Sequence, residues 1–324
     1  MATNSAKASI EGMLKLIKKS KWSLAPVYEG IANALEAIAE RQKSTEQKFP
    51  GKVEVRFHYT GLFADKRALA LIEIADNGMG FDDANFARFE ILLDASKGFN
   101  NRGSGRVQFL HFAKRIDVES CFLEEGTLKR RRFVCTRGSF ITSEQVDDAP
   151  EGSKVGATIK LSQFDTRNDG TTQFDALSID DPASAIKSHF LLRMHLARAE
   201  DKATAPSMKV VFFKNDKVEA TRKISAADIP KPETGTIEVP RHRIKDPSAE
   251  KVEWQRVQGR GEKLQWAHFK LPAAELNENG VFMCSKGIAV QPFSFEDLKK
   301  TEAVAGHRFL TAIHGEVLNS ADSV

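Results

Sequence analysis

Ala68-Leu69-Ala70-Leu71-Ile72-Glu73-Ile74-Ala75-Asp76-Asn77-Gly78-Met79-Gly80-Phe81 is the stretch on which the reading of the fold turns. Residues 68–75 are almost wholly apolar, Glu73 excepted, as in a buried strand. The strand runs straight into Asp-Asn-Gly-Met-Gly, and Asp/Asn-Gly taken alone is the strongest short hairpin signal. The downstream pattern disagrees with a hairpin. Phe86, Phe89, Leu92 and Leu93 recur at helical spacing, and Asp82 or Asp83 can cap such a helix, so the segment reads as strand, turn, helix. Gly78 and Gly80 allow backbone conformations and close approach that side chains would obstruct. An ionised Asp76 at the strand end can accept a hydrogen bond from an exocyclic amine such as adenine N6, where guanine presents an acceptor instead.

Upstream, a helix is expected from about Pro26 to Arg41, with proline at a favoured first-turn position. At 100° per residue, Val27, Ile31, Ala34, Leu35 and Ile38 share one face, and Glu29, Asn33, Glu36 and Glu40 gather on the other. Glu29 and Asn33, four apart, are stacked neighbours. A carboxylate there can polarise a water and a carboxamide oxygen can reach a metal ion, although a solvated polar face has the same pattern. Between the two, Val53, Val55, Phe57 and Tyr59 alternate with polar residues in a second strand, with Gly61 marking the connecting turn.

Downstream, Ser96-Lys97-Gly98-Phe99-Asn100-Asn101-Arg102-Gly103-Ser104-Gly105-Arg106 places glycines and cations just before another helix, which carries Val107, Leu110 and Phe112. Backbone N–H groups at a helix start can cradle phosphate oxygens, and Lys97 or Arg102 can add charge-assisted bonds; a plain connecting loop has a similar composition. A hairpin of 115–123 and 127–136 and a strand at 155–161 complete the first sheet. The polar stretch 165–170 is the expected domain boundary. Beyond it lie a helix near 183–198 and strands near 208–213, 235–239, 266–271 and 281–290.

At 324 residues, two domains are the default expectation. No apolar run reaches transmembrane length and no secretory signal opens the chain, so a cytoplasmic address without membrane contact is expected. Cys121, Cys135 and Cys284 are sparse and lack metal-ligand spacing. The net charge of +4 is too small to argue for nucleic acid by itself. The run Lys129-Arg130-Arg131-Arg132 is either an internally neutralised hairpin beside Glu124-Glu125 or a phosphate-backbone contact. His189 and His195, six apart, do not share a helix face and are not expected to bind metal. No P-loop sequence occurs.

Glu29-x-x-x-Asn33, then Asp76-Asn77-Gly78-Met79-Gly80, then Arg102-Gly103-Ser104-Gly105, in this order, resembles the GHKL ATPase superfamily, which includes gyrase B, MutL, the Bergerat-class heat-shock chaperone and the histidine kinases. The last branch fits less well, because no phosphoacceptor helix pair precedes the pocket. The resemblance covers about residues 20 to 165. It implies an α+β protein: a Bergerat-fold α/β sandwich over 1–168, its mixed, mainly antiparallel sheet carrying helices on one face, followed by an α+β transducer-like domain over 169–324. Residues 1–22, where Ile10, Met13, Leu14 and Ile17 recur at helical spacing, are expected to form an N-terminal amphipathic helix or strap.

The resemblance further implies that Glu29 is the general base, Asn33 the Mg²⁺ ligand and Asp76 the adenine acceptor. Gly78, Met79 and Gly80 would flank the base, and Ser96, Lys97, Arg102, Gly103, Ser104 and Gly105 the phosphates. Gly156 and Thr158, in GSKVGATIKL, look like the family's late glycine-threonine strand at the adenine end. Lys286, in Met283-Cys284-Ser285-Lys286-Gly287, is the candidate transducer base reaching the γ-phosphate. The implied activity is slow, Mg²⁺-dependent ATP hydrolysis with nucleotide-driven lid closure and homodimerisation. Two alternatives stand beside it: a nucleotide-gated protein-interaction switch with negligible hydrolysis, and an ATPase subunit of a nucleic-acid-processing assembly. Residues 308–324 still alternate apolar and polar positions like the transducer's late segment, so the chain is expected to be part of a longer protein.

Overall fold

The computed structural model describes residues 10–45, 48–63, 66–90, 105–245 and 253–319. Among these the chain is α+β, with two mixed, mainly antiparallel sheets, and divides into two compact units. Residues 1–186 with 197–228 form the first unit, and 187–196 with 229–324 the second.

The first unit opens with α1 (Ile10–Leu16), which buries Ile10 and Met13, and α2 (Ala25–Ser44), which starts with proline in its first turn. Then come β1 (Lys52–Phe63), β2 (Lys66–Asp76), α3 (Asp83–Glu90), α4 (Gly105–Phe112), β3 (Ala113–Glu124), β4 (Thr127–Thr136), β5 (Thr142–Asp148) and β6 (Gly156–Phe164). The helix α5 (Asp180–Glu200) precedes β7 (Ser207–Lys214) and β8 (Lys217–Ser225). One eight-stranded sheet runs β5-β4-β3-β6-β2-β1-β7-β8. Its single parallel pair is β1 with β7, from Lys52 opposite Ser207 to Tyr59 opposite Lys214.

Strand alternation sorts the two faces of this sheet. Val53, Val55, Phe57 and Tyr59 of β1 and Ile72 and Ile74 of β2 are buried on the face that α2 covers with Val27, Ile31, Leu35 and Ile38. Burying each such side chain contributes about 1.5–3 kcal/mol. Phe86 of α3 packs on Phe133 of β4, and α4 packs on β3 and α2, on the same face. The opposite face carries Glu54, Arg56, His58, Glu73, Lys160 and Lys209, joined by ion pairs.

The second unit holds β9 (Glu233–Ile244), β10 (Trp254–Pro272), β11 (Gly280–Ser285), β12 (Ile288–Phe293), β13 (His307–His314) and the short α6 (Glu316–Asn319). Its sheet runs β12-β11-β13-β10-β9, with β11 and β13 parallel.

The structure corrects the expected organisation at four points. The 165–170 stretch does not end the first unit: Phe174, 1% exposed, returns to its core against Phe164 and Phe112, and the Tyr59 hydroxyl donates to the Phe174 carbonyl at 2.9 Å. The strand expected at 208–213 in the second domain, observed as β7, is hydrogen-bonded into the first sheet together with β8, a strand not among those expected. Gly61 lies within β1, which continues to Phe63. Finally, 281–290 is two strands broken by a two-residue turn at Lys286-Gly287, both with positive φ (51° and 77°), the geometry of a tight hairpin.

Candidate functional site

Glu29, Asn33, Ala37 and Arg41 follow one another at intervals of four along α2, on a slowly winding line of one face. The line does two jobs. Its C-terminal half holds the Asp76–Gly80 turn: the Met79 N–H donates to the Ala37 carbonyl at 3.2 Å, and Arg41 Nη1 donates to the carbonyls of Asn77 (2.8 Å) and Val155 (3.3 Å). Its N-terminal half keeps polar side chains: Asn33 Nδ2 donates to Glu29 Oε1 at 3.2 Å, which leaves Asn33 Oδ1 without a donor among the described residues. Eight residues of helix put Glu29 about 12 Å from the point where the turn docks.

The turn is held from three sides. Asp76 Oδ1 accepts the Gly78 N–H at 2.7 Å, closing a local side-chain turn, and the Ala157 N–H lies toward the same carboxyl and favours its charged form. The Asn77 side chain faces away, accepting from the Lys52 N–H (2.7 Å) and donating to the Pro50 carbonyl (3.1 Å). Ser120 Oγ, 1% exposed as a residue, accepts the Phe81 N–H at 2.7 Å and donates to the Gly156 carbonyl at 3.3 Å.

These contacts explain both glycines. A Cβ on Gly78 would lie 2.7 Å from the Ala37 Cβ, and one on Gly80 (φ +77°) would lie 2.4 Å from the Cys121 carbonyl oxygen. The close approach expected at this turn is therefore first an approach of α2 and β3 to the turn itself. Beyond the turn, the buried Arg131 donates to the Phe81 carbonyl at 2.7 Å, pairs with Asp83 and lies over the Phe86 ring.

Asp76 keeps some accessible surface, and its carboxyl points to the α2 side with Ile72 and Ile74. Burial pushes this carboxyl up to about 7, against the opposing pull of the Gly78 and Ala157 N–H groups and the Arg41 charge. A carboxyl so placed is poised between acceptor and donor at neutral pH. Burial likewise lowers the Arg41 pKa, partly offset by Asp76.

The other end of the α2 line adjoins α4. Gln108 accepts the Ser20 N–H and donates to the Lys18 carbonyl, both at 3.0 Å, and His111 Nε2 donates to the Ile17 carbonyl at 2.6 Å. The helix that follows the glycine-rich stretch thus lies beside the entry to α2, the end that carries Glu29. Ser96, Lys97, Arg102, Gly103 and Ser104 fall outside the described residues, and Gly105 is the first residue of α4.

Glu29 and Asn33 are thus neighbours, on the helix face that continues to Gly78 and Met79, with Asp76 beneath the turn. Thr158 is not part of this arrangement. It sits opposite Ala75 and shares its face with Lys160, whose ammonium pairs with Glu73, so its side chain lies on the far side of the sheet. Ala157, one residue earlier, is the residue that meets Asp76.

Lys286 belongs to the second unit, on the β11–β12 turn, where its N–H donates to Asn319 Oδ1 at 2.6 Å. The Lys129–Arg132 run is neutralised: Lys129 pairs with Asp148, Arg130 and Arg132 with Asp147, and Arg131 is buried. A cavity of about 480 Å³ opens along Lys52, Glu54, Arg56, Lys209 and Lys223; it touches Asp76 and Asn77 but none of the α2 line.

Two further participants have weak sequence signals, and a third has none. Arg41 extends the four-residue spacing of Glu29 and Asn33 and could have been found that way. Ser120 is a polar residue at an inward position of an otherwise apolar alternation in β3, which marks a buried hydrogen bond. Ala157 acts through its backbone and has no side-chain signal.

No protein-family model matches this sequence, and a search of curated proteins finds no match. Among solved structures, the chain is similar to one described as "Crystal Structure of N terminal domain of a DNA repair protein", at 12% identity over 90% of this chain and 86% of that one, with a TM-score of 0.43. At this score the likeness bears on no functional question.

Proposed function

We propose that the chain binds ATP with Mg²⁺ in a Bergerat-type pocket of the GHKL kind and hydrolyses it slowly. The observation that carries this reading is the layout along α2: a carboxylate and a carboxamide at one end, and about 12 Å away a glycine turn over a half-buried acceptor. That layout suits a long ligand with an anionic end and a heterocyclic end.

The donor set fits such a ligand. Asn33 Oδ1, turned away from Glu29, is a neutral oxygen of the type Mg²⁺ accepts. Asp76 offers a carboxylate to an exocyclic amine, and its N–H partners fix the oxygen that remains. Glu29, hydrogen-bonded through Asn33 Nδ2, is oriented to hold and polarise a water. When bound, MgATP would supply the γ-phosphoryl group and a cation that screens its charge. The resemblance to MutL-type and gyrase-type members extends the reading to nucleotide-driven pairing of two chains, with Lys286 as the basic residue of the second unit.

Calorimetric titration of the full chain with MgATP and MgGTP tests the proposal. MgATP should bind and MgGTP should bind at least tenfold more weakly; equal affinity, or no heat with either, removes it.

A further inference from the structure

The β9–β10 ribbon has a charge and exposure pattern with no role in the nucleotide reading. Pairing of β10 with β13 spans only Gln265 to Pro272, whereas β10 pairs with β9 from His268 out to Trp254. Past Gln265, therefore, the sheet narrows to a two-stranded arm. An isolated two-stranded ribbon is marginally stable in water and leaves both faces open. Residues 241–245 and 253–256 at its outer end are all exposed, Trp254 at 65%.

The register sorts the side chains. Trp254 lies opposite Ile244 and Arg256 opposite His242, so an indole, a guanidinium, an imidazole and an aliphatic group share one face. Gln255 lies opposite Arg243, which puts Arg241, Arg243, Lys245 and Glu253 on the other. On that face, among the described residues 241–245 and 253–256, three cations stand beside one carboxylate, Glu253, which pairs with Lys245 at 3.1 Å. Arg243 donates to Gln255, an uncharged partner, at 3.3 Å. Arg241 and Arg256 have no acidic partner among the described residues. Such a surface contrasts with the Lys129–Arg132 run, whose cations are consumed by aspartates of the next strand.

We infer that this arm binds single-stranded nucleic acid, with bases stacked on the Trp254, His242 and Arg256 face and phosphates met by Arg241, Arg243 and Lys245. A cationic surface alone would suit any polyanion, but an exposed indole and imidazole on the adjoining face favour a ligand with exposed heterocycles. In a duplex the base faces are already stacked on one another. A second copy of the chain is disfavoured, since two like-charged arms would repel. The inference uses neither Glu29 nor Asp76 and stands apart from the nucleotide reading.

The test is fluorescence anisotropy of a labelled oligo(dT) of about twenty nucleotides, at about 50 mM salt and upward. The full chain is compared with Trp254→Ala, with Arg241→Gln/Arg243→Gln/Lys245→Gln, and with a duplex of equal length. Both variants change exposed side chains, and their thermal melting should match that of the parent. The expected results are binding of the single strand, a loss of roughly tenfold or more in Trp254→Ala, and a salt slope shallower by about 2 in the triple variant. The inference is overturned by no binding at low salt, by unchanged affinity in Trp254→Ala, by duplex bound as tightly as the single strand, or by sedimentation showing that Trp254→Ala instead dissolves a self-association.

Discussion

Glu73 and Asp76 sit three residues apart on β2, point to opposite faces of the same sheet, and are driven in opposite directions. Burial works to raise the Glu73 carboxyl, but His58, Lys160 and Arg56 together outweigh it and hold the group below the usual carboxylate range. Asp76 meets two backbone N–H groups and a more distant Arg41, and burial wins, pushing it up to about 7. One carboxylate is thus held charged by its neighbours, as in a structural ion cluster. The other carries a net electrostatic cost of burial that its neighbours only partly offset, as the proposed role of Asp76 in reading the base requires of a poised carboxyl. The comparison separates residues that stabilise the sheet from residues available for chemistry.

Exchanging Asp76 for Asn breaks the comparison most sharply. MgATP affinity should fall by more than a hundredfold in calorimetry, because the amide presents a donor toward adenine N6 or loses its backbone partners. The same change should leave the melting temperature at pH 8 equal or higher, since it removes a buried charge. The sign follows from linkage: a carboxyl whose folded pKa exceeds its unfolded value near 3.9 binds its proton more tightly when folded, so it erodes stability as pH rises from about 4 to 7. A lower melting temperature together with intact binding would reverse the roles assigned to the two acids.

Glu29→Ala comes next: phosphate release should drop about a hundredfold or more while MgATP affinity stays within about threefold. Unchanged turnover would remove Glu29 from the role of base.

The preference for MgATP over MgGTP should shrink as pH falls from 8 to 6, since a protonated Asp76 can donate to guanine O6 and is a weaker acceptor for adenine N6 than the carboxylate. Using the ratio cancels titration of the phosphates, which both ligands share. A ratio that stays flat over this range would show that Asp76 does not read the base.

Glu73→Gln should cost about 2 kcal/mol of folding stability at pH 7 in denaturant titration and leave nucleotide affinity untouched. A depressed carboxyl contributes stability that is present above its unfolded pKa and lost as pH falls through the folded one, so the difference between parent and variant should close at acid pH. The smallest effect is expected of Thr158→Val, which alters the Glu73 face and should shift MgATP affinity less than twofold.

What the sequence determined by itself was local and periodic. The four-residue spacing of Glu29 and Asn33, the apolar run into Asp76 and the helical pattern after Phe81 each depend on neighbours within a few turns of chain, so the helix, the strand and the turn were readable from residue order. Tertiary structure decided what depends on partners distant in the chain. The parallel pairing of β1 with β7 spans about 150 residues and moved two strands into the first unit. The polar edge strand β5, Thr142–Asp148, has no buried alternation to announce it, yet it supplies the aspartates that neutralise the Lys129–Arg132 run.

Whether Ala157 or Thr158 meets Asp76 turns on a one-residue choice of strand face, and in a strand such a choice reverses every side chain. The division is physical: hydrophobic periodicity is written into adjacent residues, whereas register, burial of charge and the shared use of Ala37, Ser120 and Arg41 around one turn exist only once separate elements are packed together.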